Sequence, residues 1–228
     1  MVPSSAFENS SRVVVTGAIG YIGSRLVSAL STRGFDVRAL VRKGSESKAP
    51  RGCTVIIGNP LDRSTFVEGI AHSGTFVHHV GVSHPSPSKA REFREIDYTA
   101  AREAINAARG AHVGHFVYVS VAHPSPVMKE FVRVRTECEN LVTSSGLNAT
   151  ILRPWYVLGP GHRWPYLLMP LYWIAGHLPF TRDSAIRLGL VTIDDMIQKL
   201  VSTVQNPPSG IRILEVRDIR KVNSFSSK

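Results

Sequence analysis

Short apolar runs alternate with longer stretches of helical spacing along most of the chain. Arg12–Thr16, Val37–Val41, Thr54–Ile57, Thr75–Val80, His115–Val119 and Ala149–Leu152 are runs rich in β-branched residues, as expected of strands buried on both faces. Between them, Tyr21–Arg33, Leu61–Ala71, Ser88–Arg109 and Val127–Ser145 carry apolar side chains three and four apart, which predicts helices. Gly146 stands where a helix C-cap is needed. Repeated strand–helix units imply right-handed crossovers and a parallel sheet covered on both faces. The pattern therefore predicts an α/β, Rossmann-type doubly wound fold.

From Trp155 the rhythm breaks. Residues 155–190 mix proline, aromatics and glycine, and no strand–helix unit can be drawn there. Ile193–Val204 returns to helical spacing with Thr192 as its N-cap, Ile211–Val216 reads as a short final strand, and the last dozen residues read as frayed. The stretch 164–180 (WPYLLMPLYWIAGHLPF) is apolar, but Pro165, Pro170, Pro179 and His177 interrupt it. It is expected to form a lid or interface helix, or a peripheral contact with a bilayer or a protein partner, and not to span a membrane.

Composition narrows the class. The chain has 228 residues, 43% of them hydrophobic, with two cysteines and a net charge of +10. That apolar content excludes a disordered or collagen-like chain, and Cys53 and Cys138 are too few for a zinc cluster or a disulfide scaffold. The first twelve residues hold no apolar run, so a cytoplasmic protein is expected. The excess charge is spread evenly, +5 in residues 1–110 and +5 in 111–228. With no basic stripe, nucleic acid is not an expected partner, whereas anionic small molecules or an acidic membrane surface are.

The chemistry starts at Val13–Gly23. Gly17, Gly20 and Gly23 follow an apolar strand and open a helix, with two residues between each. In such a turn the first glycine permits the sharp bend, the second lets backbone approach a pyrophosphate, and the third lets the helix pack close to the strand. The helix N-terminus then offers free N–H groups and partial positive charge to phosphate. The expected organisation is a flexible segment 1–11, a dinucleotide-binding body 12–154, a small C-terminal lobe 155–222 packed on it, and a tail 223–228.

TGAIGYIG at 16–23 resembles the glycine turn of the short-chain dehydrogenase/reductase family, in its extended and atypical branches. VRALVR at 37–42, GNPLD at 58–62, FVYVS at 116–120, LRPWYVLGPG at 152–161 and VTIDDM at 191–196 continue that resemblance over nearly the whole chain. The closest similarity is to the NAD(P)H-binding group that includes the accessory nucleotide-binding subunit of respiratory complex I. The resemblance implies a bound dinucleotide with contacts from Gly17, Ile19, Gly20, Tyr21, Ile22, Gly23, Asn59, Pro60, Val80, Gly81, Val119, Arg135 and Pro154. Asn59 stands where the family commonly has an adenine-binding aspartate, with Asp62 nearby.

NAD-specific sites usually carry a carboxylate about 20 residues past the glycines. Here the second strand ends in Arg42 and Lys43. Two cations suit a 2′-phosphate, so NADP(H) is favoured over NAD(H), the alternative being that both are solvated loop charges. The family's catalytic Tyr-x-x-x-Lys aligns with Phe131 and Arg135. Phenylalanine has no hydroxyl, and arginine cannot exchange a proton near neutrality.

A second proton source is suggested by an internal echo. His84-Pro85-Ser86-Pro87 follows the fourth strand and His123-Pro124-Ser125-Pro126 the fifth. Both motifs fall at carboxyl ends of strands, where ligands bind in such folds, so His84 and His123 are candidate acid–base groups. Proline-rich loops that merely end strands are the alternative. His78 and His79 point to opposite faces of a strand, so no metal site is expected. The readings left open are an oxidoreductase with altered catalytic residues, a non-catalytic NADP(H)-binding structural or sensing subunit, and a membrane-peripheral scaffold.

Overall fold

A computed structural model describes residues 11–83, 85–125, 127–160 and 188–220. Nine strands are present among them: β1 Arg12–Val15, β2 Asp36–Val41, β3 Thr54–Ile57, β4 Thr75–His78, β5 His115–Val119, β6 Ala149–Arg153, β7 Tyr156–Leu158, β8 Leu190–Thr192 and β9 Ile211–Glu215. Seven form one sheet in the order β3-β2-β1-β4-β5-β6-β9, and every pairing is parallel. This is the doubly wound, Rossmann-type arrangement, with its switch point between β1 and β4.

The principal helices are α1 Tyr21–Ser31, α2 Thr99–Gly110, α3 Lys129–Thr143, α4 Ile193–Gln205 and the short α5 Val216–Arg220. Alternate residues of the strands feed two cores. Val13, Val15, Val77 and Val117 pack with Leu26 and Leu30 of α1 and Met196 and Leu200 of α4. Val14, Phe76, Phe116 and Tyr118 pack on the other face with Ala104 and Ala108 of α2 and Val134 and Cys138 of α3. A strand buried on both sides has no polar face, which is why these runs read as continuous apolar segments.

Four expectations change. Leu61–Ala71 holds two three-residue 3₁₀ turns, Arg63–Thr65 and Glu68–Ile70, in place of a helix. Phe66 and Ile70 are buried four residues apart, which imitates helical spacing, while Gly69 runs so close to Ile56 that a Cβ would stand 3.0 Å from it. Ser88–Arg109 is not one uniform helix, because a π-helical turn, Phe93–Tyr98, precedes α2. Its wider turn buries Phe93 and Asp97 together. Val216 leaves the last strand and begins α5, where it and Ile219 are fully buried, the latter in a stretch expected to fray.

The fourth change concerns the boundary expected at 154. Strand β9 joins the main sheet beside β6, and α4 packs in the same core as α1. Residues 193–220 thus complete the Rossmann body, while β7 and β8 form a separate two-stranded parallel sheet. The partners are distant in sequence, so the interrupted rhythm concealed them. Thr192 is the N-cap of α4, accepting from the Asp195 amide at 3.1 Å. Among the described residues no helix is long and apolar enough to cross a membrane; the 164–180 segment lies outside them.

Two core histidines carry a consequence for stability. His78 Nδ1 meets Thr16 Oγ1 at 3.0 Å and His115 Nε2 meets Thr150 Oγ1 at 3.0 Å. Burial lowers His78 to about 3 and His115 to about 4. The unfolded chain therefore binds protons near pH 6 that the folded chain refuses, so stability is complete above about pH 6.5 and falls as pH drops toward 4. Each group contributes up to about 1.4 kcal/mol per pH unit in that window. Guanidinium unfolding should show a lower midpoint at pH 5.2 than at pH 7.2, with His115→Gln reducing the difference; equal midpoints would refute this.

Candidate dinucleotide-binding site

In the turn between β1 and α1 the main chain approaches itself closely. Gly17 has φ +65, and the Gly20 amide donates to the Gly17 carbonyl at 2.9 Å. A Cβ on Gly23 would fall on that same carbonyl and stand 2.7 Å from the His79 ring, and one on Gly17 would stand 2.9 Å from that ring. Gly17 and Gly23 thus leave no room for a side chain. Gly20, the N-cap of α1, makes no side-chain capping bond, and no carboxylate lies in the first helical turn. The α1 N-terminus thus keeps the amides and positive potential that suit a diphosphate. Ile19 and Gly20 are exposed at the lip, Tyr21 and Ile22 half-buried.

Beside this turn lie the ends of β2 and β3. Arg42 and Lys43 follow β2 directly and are exposed. Glu46, the carboxylate of the same loop, is turned onto the Gly44 amide at 3.0 Å, and backbone hydrogen bonds hold it below its ordinary range. After β3, Asn59 Oδ1 accepts from the Leu61 amide across Pro60. Asp62 is committed to capping the next turn, accepting from the amide and hydroxyl of Ser64 at 3.0 and 2.7 Å.

The exits of β4 and β5 meet α3. Phe131 packs on Phe93 with ring centroids 5.0 Å apart. Arg135 is buried. Its Nη1 donates to the Val119 carbonyl at 3.0 Å and to the Tyr118 hydroxyl at 3.3 Å, and its Nη2 lies 3.4 Å from Asp97 Oδ2. Asp97 in turn accepts from the Val82 amide at 2.7 Å. Burial pushes the Asp97 carboxyl up, and Arg135 opposes that shift. A Cβ on Gly81 would collide with the Arg135 guanidinium. The guanidinium, expected from the family resemblance to contact the cofactor, bonds through Nη1 to protein groups of the strand exits and faces Asp97 through Nη2.

His123 lies after β5, and its side chain is 18% exposed. Its Nε2 meets Glu139 Oε2 at 3.3 Å. Arg153 at the end of β6 binds Glu139 through its Nε at 3.1 Å and Glu215 of β9 through Nη1 at 2.8 Å. Desolvation works to raise the Glu139 carboxyl, but His123, Arg153 and Ser120 hold it below its ordinary range. Glu139 thus stays a carboxylate that orients the imidazole. Pro154 is buried, and its carbonyl accepts from the Ala122 amide at 2.9 Å. His84 lies outside the described residues, so only one of the paired histidines can be placed.

Several site residues escaped sequence reading. Asp97 and Glu139 sit among ordinary helix charges, and only the π turn and the α3 register direct them inward. His79 carries a buried Nε2 with no hydrogen-bond partner under the glycine turn, and burial lowers its pKa to about 4. A Cβ on Gly159 would meet the Tyr21 hydroxyl and Ile193, so the chain at Gly159 packs against the starts of α1 and α4. The one available signal was the glycine itself. Among the described residues no cluster of His, Cys, Asp or Glu could hold a metal ion.

This sheet order with a glycine turn at the first crossover defines the class of Rossmann dinucleotide-binding proteins. A family profile described as NAD(P)H-binding matches residues 17–163, and the chain belongs to that family. Ceramide reductase of Caulobacter vibrioides is 28% identical over 214 residues, which is 92% of this chain and 65% of that protein. A Streptomyces 3-diazoavenalumate denitrifying reductase is 28% identical over 226 residues, 87% of this chain and 74% of its own. The chain therefore spans about two thirds to three quarters of these relatives' length. The Bordetella bronchiseptica enzyme WbmH, solved in complex with NAD+, superposes with a TM-score of 0.67 at 21% identity, covering 88% of this chain and 74% of that one. At that identity the likeness is one of fold.

Gly23→Ala should destabilise the protein by about 2 kcal/mol, the usual cost of overpacking, and abolish dinucleotide binding. Denaturant titration and isothermal calorimetry check the two effects. A variant that binds like the parent would show that helix and strand do not approach this closely.

Proposed function

We propose that the protein is an NADP(H)-dependent reductase whose proton donor is His123 in place of the missing tyrosine. The glycine turn carries the reading, because a cradle from which side chains are excluded and which no cap fills suits a diphosphate. Gly17, Ile19, Gly20, Tyr21, Ile22 and Gly23 would hold the diphosphate, with Asn59 and Pro60 beside the adenine. Val80, Gly81, Val119 and Pro154 would line the second half of the crevice, where β4, β5 and β6 end. Arg42 and Lys43, with no carboxylate directly after β2, suit a 2′-phosphate.

When bound, such a dinucleotide supplies a hydride. The remaining requirement is a proton for the substrate atom that gains negative charge. Phe131 cannot give one, and Arg135 is both buried and fixed in its protonated form. His123 can, being partly exposed at the β5 exit and held in place by Glu139. The Glu139 carboxylate, 3.3 Å from Nε2, fixes the orientation of the imidazole at the β5 exit, as a general acid requires.

A second reading, a non-catalytic NADP(H)-binding subunit, is favoured by one observation: Arg135 is buried against Asp97, and Phe131 packs half-buried on Phe93. Turnover separates the two. NADPH oxidation against a panel of ketones, quinones and flavins should fall at least about tenfold in His123→Ala, the low end for loss of general acid catalysis. Background rates across the panel, unchanged by His123→Ala, would leave the subunit reading.

The 2′-phosphate assignment is tested separately. Arg42→Glu should weaken NADPH binding by more than about tenfold, as expected for losing a charge-assisted contact, while NADH affinity stays within a factor of two. Fluorescence energy transfer from tryptophan to the nicotinamide reports both, and equal losses for the two cofactors would reject the assignment.

A further inference from the structure

The buried cation at position 135 and the glycine at 81 occupy the same space. A Cβ on Gly81 would collide with Arg135 Nη2 and stand 3.1 Å from Asp97 Oδ1. Around that point, one guanidinium gathers groups from three elements. It donates to the Val119 carbonyl at the end of β5, stacks 5.2 Å from the Phe131 ring of its own helix, and faces Asp97 of the π turn. Asp97 passes the connection on to the Val82 amide just beyond β4. Asp97 is fully buried and Arg135 nearly so, so neither charge has water as a substitute partner.

A doubly wound sheet binds a dinucleotide with one mononucleotide over each half, across the switch point. The glycine turn and the ends of β2 and β3 belong to the adenosine half. The exits of β4 and β5, which Arg135 and Asp97 tie together, form the floor of the other half.

We infer that Arg135 is a positioning residue: its guanidinium, seated in the space left by Gly81 and balanced by Asp97, fixes the β4 and β5 exits as the floor for the nicotinamide half of the dinucleotide. It does this without touching the nucleotide. The inference rests on the nucleotide-binding reading above and adds the claim that residues 81, 97 and 135 work as a set. A lysine at 135 keeps the charge but not the fork that reaches the Val119 carbonyl, the Tyr118 hydroxyl and Asp97 together.

The test uses the whole protein with two probes in calorimetry. NADPH covers both halves of the crevice; adenosine 2′,5′-bisphosphate covers the first alone. Arg135→Lys should lower NADPH affinity by about tenfold, as expected for losing hydrogen bonds to a charged group, and leave the bisphosphate within twofold. Gly81→Ala should lower NADPH affinity comparably. The double variant Gly81→Ala/Arg135→Lys should bind NADPH no worse than the weaker single variant, because the shorter ammonium vacates the space the methyl enters.

Three results would overturn the inference. One is Arg135→Lys binding NADPH like the parent, as a directly ribose-binding cation would allow. Another is independent multiplication of the two substitutions. The last is a weakening of both probes together, the mark of a general loss of structure. Should Gly81→Ala fail to fold, Arg135→Lys with the two probes decides alone. A parent protein that binds neither probe sinks the nucleotide reading and the inference together, whereas binding of both with equal losses in Arg135→Lys sinks the inference only.

Discussion

Where β1 hands over to α1, the main chain runs so close to itself and to His79 that hydrogen is the largest side chain Gly17 and Gly23 can carry. Much of the molecule answers to that approach. It sets the distance of α1 from the sheet, and with it the packing of Leu26 and Leu30 on Val13 and Val15. It also makes the N-cap of α1 a glycine, with no side chain to bond the first amides of the helix. A helix N-terminus of that kind suits an anion. The same closeness strips water from His79, whose ring stays neutral under the turn.

The other half of the sheet is organised by charge. Arg135 and Asp97 are a buried pair, and removal of either would strand the other in a medium that does not solvate it. Such pairs add little net stability, but they are unforgiving about geometry. This one joins the β4 and β5 exits to α3 and to the π turn before α2, at the positions where the family resemblance places a catalytic lysine and its surroundings. Phe131, half-buried, packs on Phe93 beside this pair.

A second network lies one helical turn further along α3. Glu139 collects His123, Arg153 and, through Arg153, Glu215, so the β5 exit, α3, β6 and β9 share one set of charges. Glu139 is only 5% exposed, which makes its hydrogen bonds count for more than those of surface pairs. The Arg94–Glu137–Arg133 cluster on the outer face is different. Its members are one third to one half exposed, and such pairs contribute about 0–1 kcal/mol each. Charge on this protein is informative where it is buried.

Periodicity alone determined the parallel sheet, because strands buried on both faces must be apolar throughout and the crossovers between them must be helical. The glycine spacing likewise marked the turn, where Gly17 and Gly23 leave no room for a side chain; that Phe131 stands in place of a tyrosine is what the family resemblance implies. Tertiary structure decided what spacing cannot express. Phe66 and Ile70 are four residues apart in a helix or in two 3₁₀ turns alike, and packing against β3 chose the turns. Strand β9 finds β6 across some sixty residues of intervening chain, a pairing no local pattern records. Asp97, Glu139 and Arg135 look like ordinary charges on polar helices, and only the register of those helices against the sheet turned them inward. A buried charge is defined by its surroundings, and surroundings belong to the fold.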